Sequence, residues 1–184
     1  MQPQALSLRQ GGHRDEDAAL RQLVGELFVR CERRVGRYLV QMVGDRALAE
    51  DLLQDTFDAV FRSRSQLGAV ENPEAWVFGI ARHRALDALR RQRRFDGALR
   101  RLIDRGSNQS EDDEVVAVRD LLARHLGAED RALVLLRYVH DFDSNELAAM
   151  TGLTPQAVRQ RLSRARTRLL NSAQPNETTQ EEPR

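Results

Sequence analysis

The sequence predicts an all-α protein of two small helical domains joined by a flexible linker, with a helix-turn-helix in the second domain. Leu, Ala, Arg and Glu are abundant and only 5% of the 184 residues are aromatic, a composition that favours helices. Apolar residues recur at steps of three and four, and the few Val and Ile form no alternating runs. Residues 104–113 contain no apolar side chain and have the composition of an interdomain linker.

The first domain is predicted at residues 14–103, after a polar tail at residues 1–13 that we expect to be disordered. Acidic side chains at residues 15–17 are favourable at the start of a helix. From Leu20 to Met42 the apolar residues follow the helical repeat, which predicts one long amphipathic helix.

Capping residues mark the next two helices of this domain. Asp45 can cap a second helix, whose apolar stripe over residues 48–61 lies opposite an acidic face. Residues 63–71 show no periodicity and predict a loop. Asn72 followed by Pro73 is typical of a helix start, so a third helix is expected there, running into an arginine-rich segment.

The second domain is predicted at residues 114–171, followed by a polar tail at residues 172–184 that we expect to be disordered. Asp143 and Glu146 have the spacing of a capping box at the start of a short helix. Gly152 suits the left-handed backbone that a tight turn between two helices requires.

A second helix of this motif is predicted to begin at Thr154 and Pro155, a capping side chain and a first-turn proline. Its expected buried face consists of Val158, Leu162, Ala165 and Leu169. The side chains left facing outward are Gln156, Ala157, Arg159, Gln160, Ser163, Arg164 and Arg166. Such a helix is suited to the major groove of DNA, although a basic hairpin that only packs would show the same pattern.

Charge is segregated along the chain, although the net charge is only +1. The chain has no lysine, and its arginines concentrate at residues 82–105, with nine Arg and three Asp, and at residues 159–168, with five Arg and no acid. Two basic patches on a nearly neutral chain indicate two separate contacts with a polyanion. For one patch alone, a solvated helix face explains the pattern equally well.

Several classes of protein are excluded by what the sequence lacks. No apolar stretch approaches the ~20 residues of a membrane span, and the N-terminus does not have the pattern of a secretory signal. The single cysteine, Cys31, lies in an apolar pattern and is expected to be a buried free thiol of a cytoplasmic protein. Scattered histidines, the lack of a phosphate-binding glycine loop and the lack of a catalytic triad predict a protein that is not an enzyme and needs no cofactor or metal.

Three motifs, in order, resemble the extracytoplasmic-function (ECF) group of the sigma-70 family of RNA polymerase sigma factors. AEDLLQDTF, residues 49–57, is similar to region 2.2 of that family. NPEAWVFGIARHRALDALRRQRR, residues 72–94, is similar to regions 2.3 and 2.4, and ELAAMTGLTPQAVRQRLSRARTRL, residues 146–169, to region 4.2. The resemblance covers most of the chain, and regions 1.1 and 3 have no counterpart, as expected for this group.

By this resemblance, the chain binds core RNA polymerase and promoter DNA and starts transcription, with an anti-sigma factor as a further partner. The polymerase contacts it implies are Asp51, Leu52, Gln54, Asp55 and Phe57. The contacts it implies with the −10 element, which residues 63–71 would help to open, are Trp76, Arg82, His83, Arg84, Asp87, Arg90, Arg91, Arg93 and Arg94. The contacts it implies with the −35 element are Thr154, Gln156, Ala157, Arg159, Gln160, Ser163, Arg164 and Arg166.

Two positions depart from the pattern of the family. Leu48 occupies a position where the family often has aspartate, and His83 one where it commonly has asparagine. The second departure leaves open which −10 base is preferred. Trp76 is expected to belong to the core rather than to act as a wedge against bases.

Three other functions compete with that of a sigma factor. A helix-turn-helix regulator that is not a sigma subunit explains the second domain, but not an acidic helix beside an arginine-rich one. Such a regulator should bind duplex promoter DNA alone, whereas a sigma factor should need core polymerase. A small helical enzyme lacks a recognisable site, and a sigma-like decoy that sequesters a regulator can be separated only by a transcription assay.

Overall fold

The computed structural model describes the backbone of residues 5–99 and 113–173 and the side chains of residues 17–94 and 117–172. Within these ranges every regular element is helical, which confirms the all-α prediction. The elements are α1 (Ala5–Val43), α2 (Arg46–Arg62), a 3-10 helix (Arg64–Ala69), α3 (Pro73–Leu99), α4 (Asp113–His125), α5 (Ala128–Tyr138), α6 (Ser144–Thr151) and α7 (Pro155–Ala173). Almost all of the predicted linker, and the tail beyond residue 173, lie outside the described residues.

The first helix is longer than the sequence pattern predicts. α1 begins at Ala5, so its helical backbone includes residues 5–13, where the sequence pattern predicts a disordered tail. Acidic residues 15–17 therefore do not mark the helix start. Asp17 instead accepts hydrogen bonds from Arg64 at 2.7 Å and 2.6 Å, which hold the pKa of its carboxyl below its usual range and fasten the 3-10 helix to α1.

The first domain packs α1, α2 and α3 around a common core. Leu27, Val35 and Leu39 of α1 are fully buried, and Val60 of α2 and Val77 of α3 close the core from the other two helices. Cys31 lies in the same buried stripe, and burial raises the pKa of its thiol, as expected for an unreactive core cysteine.

The predicted helix caps of this domain are present. The Asp45 carboxylate accepts a hydrogen bond from the backbone N–H of Leu48 at 3.0 Å. The Asn72 side-chain oxygen accepts bonds from the N–H groups of Glu74 and Ala75, both at 3.1 Å, immediately before Pro73. These side chains satisfy backbone donors that have no partner within the helix, so they fix where α2 and α3 begin.

Residues 63–71 are more regular than predicted, because a 3-10 helix occupies most of the segment. Leu67 is only 3% exposed, and its burial ties the segment to the core. The few apolar side chains of this segment follow no helical repeat, so the pattern alone could not reveal this anchor.

The second domain is built around α5. Six consecutive residues, 131–136, are buried, because α5 contacts helices of both domains. The helix-turn-helix is formed by α6 and α7, and each of its predicted signals is confirmed. Asp143 and Glu146 form a reciprocal capping box, Gly152 has φ +69° and ψ 12°, and Thr154 Oγ1 accepts a bond from the Ala157 N–H at 3.1 Å.

Gly152→Ala is expected to destabilise the chain by about 1–2 kcal/mol, since the left-handed backbone carries a penalty of that size for a residue with a Cβ. Apart from the two neighbouring residues in the chain, no heavy atom lies within 4 Å of the position that a Cβ would take on Gly152, so overlap with packed side chains adds nothing. Urea unfolding followed by circular dichroism measures the change. Gly25→Ala, inside α1 and equally unobstructed, should stabilise by roughly 0.5–1 kcal/mol. Equal changes in the free energy of unfolding of the two variants would contradict the backbone explanation.

Candidate nucleic-acid interface

The outer face of α2 is acidic, and buried apolar side chains of the same helix lie beneath it. Asp51, Gln54 and Asp55 are the polar residues of this face, and both carboxylates are exposed. Leu52 and Phe57 are 2% and 8% exposed beneath it. The first three can therefore make polar contacts with a partner, whereas the other two hold the helix in place through the core.

The arginine-rich end of α3 is an open cationic surface. Arg91, Arg93 and Arg94 are exposed, and Arg84 is partly exposed on the same helix. Such a series of guanidinium groups can follow a phosphodiester backbone. Some of the predicted −10 residues bind other side chains instead. Asp87 accepts a hydrogen bond from Arg90 at 2.9 Å and lies 3.2 Å from the exposed His83 ring, so it orients these two side chains.

A groove of about 940 Å³ runs along α3 and is closed on its far side by α6. Trp76, His83 and Arg84 line it from α3, whereas Glu146 and Met150 line it from α6. Trp76 is partly buried and packs against the core while one side borders the groove. It is thus a core residue, as expected, that also contributes to the walls of this groove.

The outward face of α7 is largely as predicted. Gln156, Arg159, Gln160, Ser163, Arg164 and Arg166 are exposed, and Ala157 is partly exposed. Val158, Leu162 and Ala165 are buried and Leu169 is partly buried, which confirms the inner face. Arg161 and Arg168 bind Asp130 of α5, at 2.8 Å and 3.3 Å, so these two arginines fasten the helix to its own domain.

Sequence comparison identifies the family. Residues 27–95 match the Sigma-70 region 2 family and residues 120–169 match the Sigma-70, region 4 family. The chain is 36% identical over 143 residues to the RNA polymerase sigma factor CarQ of Myxococcus xanthus, covering 76% of this chain and 82% of CarQ. The chain belongs to the sigma-70 family of RNA polymerase sigma factors, in the ECF group. It is also 32% identical over 133 residues to the ECF sigma factor SigL of Mycobacterium tuberculosis, covering 68% of this chain and 75% of SigL.

Solved structures share the fold of this sigma factor. The sigma factor RpoE, in complex with the anti-sigma factor NepR from Bartonella quintana, superposes with a TM-score of 0.65 at 21% identity, over 80% of this chain and 94% of RpoE. CnrH, in complex with the cytosolic domain of CnrY, gives the same TM-score at 22% identity, over 86% of this chain and 96% of CnrH.

The two domains of the sigma factor contact each other through pairs of residues that the sequence patterns did not reveal. Glu129, at the start of α5, binds Arg82 and Arg90 of α3. Arg131 is 8% exposed and donates a hydrogen bond of 2.7 Å to the carbonyl of Met42 at the end of α1. Arg131 stands directly before the apolar run of residues 132–136, which is the one sequence signal for its burial, and a buried charge needs a specific partner.

An aromatic cluster lies at the same boundary. His140 is 4% exposed and packs against Tyr38 of α1 and Phe78 of α3, with ring centroids 5.7 Å and 4.9 Å away. Burial lowers the pKa of His140 to about 4. Arg34 and Arg37 act in the same direction, and Asp141 opposes them. The ring is therefore neutral at physiological pH, and protonation would place a charge among apolar side chains and arginines.

The stability of the folded chain is expected to fall as the pH decreases from about 6.5 towards 4. His140 in an open or unfolded chain takes up a proton in this range, whereas the buried ring does not, so acid favours exposure. The slope is at most about 1.4 kcal/mol per pH unit. Urea unfolding at several pH values measures it, and His140→Phe should remove most of this dependence. An equally steep slope in that variant would contradict the assignment.

In the part of the chain that the structure describes, no helix is long and apolar enough to cross a membrane. Nor do His, Cys, Asp and Glu side chains gather there into a group that could hold a metal ion.

Proposed function

We propose that this sigma factor binds core RNA polymerase through the acidic face of α2 and directs it to promoters through α3 and α7. The observation that carries the proposal is that a chain of this family presents an acidic surface and two arginine-rich surfaces on three different helices. α3 would recognise and open the −10 element, whereas α7 would lie in the major groove of the −35 element. The protein would act in the cytoplasm as an initiation factor and not as an enzyme.

The domain boundaries are part of this proposal. The region 2 domain would comprise residues 14–103 and the region 4 domain residues 114–171, with residues 104–113 as the linker. An anti-sigma factor is proposed as a further partner, since RpoE and CnrH were solved with NepR and with the cytosolic domain of CnrY.

Run-off transcription with core RNA polymerase tests the proposed function. The chain should start transcription on genomic fragments that core polymerase alone does not use, and mapped start sites should share −10 and −35 elements. Specific binding of duplex promoter DNA by the chain alone, without transcription when core polymerase is added, would favour a helix-turn-helix regulator instead.

Recognition of the −35 element is expected to depend on Arg159, Gln160 and Arg164, which are exposed on α7. Alanine at a residue that contacts a base should cost roughly 1–3 kcal/mol and relax the preference at one base pair. Alanine at an arginine that contacts phosphate should weaken all sequences alike and flatten the dependence on salt. Competition between promoter variants, with holoenzyme at several salt concentrations, separates these two effects.

Arg168→Ala is the control for the substitutions of Arg159 and Arg164. It removes the same charge from the same helix, but Arg168 binds Asp130 within its own domain. It should leave base preference unchanged. If promoter transcription survives all three α7 substitutions, this helix does not recognise the −35 element.

A further inference from the structure

The contact between the two domains uses side chains that the proposed function assigns to DNA. The side chain of Arg82 is only 11% exposed, and its Nη2 binds Glu129 Oε2. Arg90 Nη2 binds Glu129 Oε1 at 2.9 Å. One carboxylate from the region 4 domain thus holds two arginines that lie about two turns apart on α3; we call this arrangement the Glu129 bridge.

We propose that the Glu129 bridge is an internal competitor of promoter DNA, which keeps the free sigma factor in a closed form that binds the −10 strand poorly. This proposal rests on the proposed role of α3 in binding that strand. It adds Glu129, which is not among the residues assigned to the −10 and −35 elements, as a residue that controls access to them.

The competition follows from the chemistry of the bridge. A phosphodiester group and a carboxylate both offer anionic oxygens to the fork of donors on a guanidinium. Glu129 uses one oxygen for each arginine, so a phosphate that approached α3 would have to displace it from both. Because Arg82 is largely covered in the closed form, a strand can reach it only after the domains separate.

The groove along α3 is covered by the same closure. Asn72, the cap of α3, donates a hydrogen bond of 2.5 Å to Glu146 of α6. Met150 of α6 lies against Gly79 of α3, and 3.6 Å separates its Cγ from the position of a Cβ on that glycine. Closure therefore hides one of the strand-binding arginines and one wall of the groove together.

The boundary between the domains is also suited to opening. Four buried polar atoms at or beside it have no hydrogen-bond partner among the described residues: Tyr38 Oη, Arg82 Nε, Arg131 Nε and His140 Nε2. Unsatisfied buried groups cost stability, and they recover partners from water when the boundary opens. The closing contacts include the Glu129 bridge, the bond of Arg131 to Met42 and the ring of Phe142 against Phe78, 4.9 Å between centroids. The closing contacts are thus opposed by the cost of the unsatisfied buried groups. Loss of the Glu129 bridge alone is therefore enough to shift the equilibrium towards the open form.

Glu129→Gln in the full chain tests the proposal. The substitution removes the charge and keeps the size, so the bridge weakens while α5 stays intact. Fluorescence anisotropy would measure binding of a fluorescein-labelled single-stranded oligothymidylate of about 15 nucleotides, without polymerase. The apparent affinity should rise at least about five-fold, because binding is limited by the fraction of open molecules. Small-angle X-ray scattering of the same samples should show a larger radius of gyration.

Glu50→Gln is the matched control, since it removes the same charge from an exposed pair with Arg46 on α2. It should change neither the affinity for oligothymidylate nor the radius of gyration. In an Arg82→Ala/Arg90→Ala background, Glu129→Gln should no longer raise the affinity, because the arginines it releases are absent. Glu129→Asp keeps the charge, but its side chain is too short to reach both arginines, so an intermediate rise in affinity is expected. This variant keeps the proposal testable if Glu129→Gln folds poorly.

Equal affinity and equal radius for Glu129→Gln and Glu50→Gln would overturn the proposed competition. The proposed role of α3 is tested separately by Arg91→Ala/Arg94→Ala, which lie on α3 outside the bridge. If those substitutions lower oligothymidylate binding while Glu129→Gln changes nothing, α3 binds the strand but Glu129 does not compete with it. If they have no effect either, the role of α3 in strand binding fails as well.

Discussion

Asp51→Arg combined with Asp55→Arg is expected to weaken binding to core RNA polymerase by several kcal/mol, on the order of a hundred-fold or more in Kd. Both carboxylates are exposed on α2, so the substitutions should not disturb the core. A partner that recognises this acidic face must present basic groups, and arginines placed there would add repulsion to the loss of attraction.

Isothermal titration calorimetry with purified core polymerase measures this effect. Glu26→Arg combined with Glu32→Arg is the control, because both residues are exposed on α1 and the change in net charge is the same. Circular dichroism of both double variants should match that of the unmodified chain. If the two double variants bind core polymerase equally well, the acidic face of α2 is not the polymerase contact.

The features that sequence predicted well are those that depend on a few neighbouring residues. The caps at Asp45, Asn72 and Asp143 each need one side chain and backbone N–H groups up to three positions away. Gly152 is likewise determined by the backbone of its own turn. The inner and outer faces of α7 follow from the helical repeat alone, so the candidate −35 surface is predictable without any tertiary contact.

The features that sequence missed depend on partners far away in the chain. Glu129 resembles an ordinary acidic residue in the first turn of a helix, and its partner Arg82 lies 47 positions earlier. His140 is one of several scattered histidines in the sequence, but tertiary packing places its ring against Tyr38. Asp17 has the pattern of a charge at a helix start, although it binds Arg64 from within α1. No local pattern encodes such pairs, so the closed arrangement of the two domains could not be foreseen.

Arg82→Ala combined with Arg84→Ala is expected to impair promoter opening far more than the initial binding of holoenzyme to duplex DNA. Capture of an unpaired strand needs cationic contacts for its phosphates and a site for an unstacked base. Arg82 and Arg84 lie on α3, and Arg84 borders the groove. Extruding a base costs a few kcal/mol, which strand contacts must offset. Loss of two such contacts should therefore shift the equilibrium back towards closed duplex.

Premelted DNA separates strand capture from simple electrostatic attraction to duplex. A promoter with a mismatched −10 bubble needs no opening, so it should restore much of the transcription that the double variant loses on matched duplex. Arg84→Ala alone is informative, because Arg84 is not one of the two arginines in the Glu129 bridge and its loss leaves that bridge in place. Permanganate footprinting reports unpaired thymines directly. If the double variant opens the −10 region of duplex promoters as fully as the unmodified holoenzyme, or if a bubble gives no rescue, then these arginines hold double-stranded DNA and the opening role assigned to α3 is wrong.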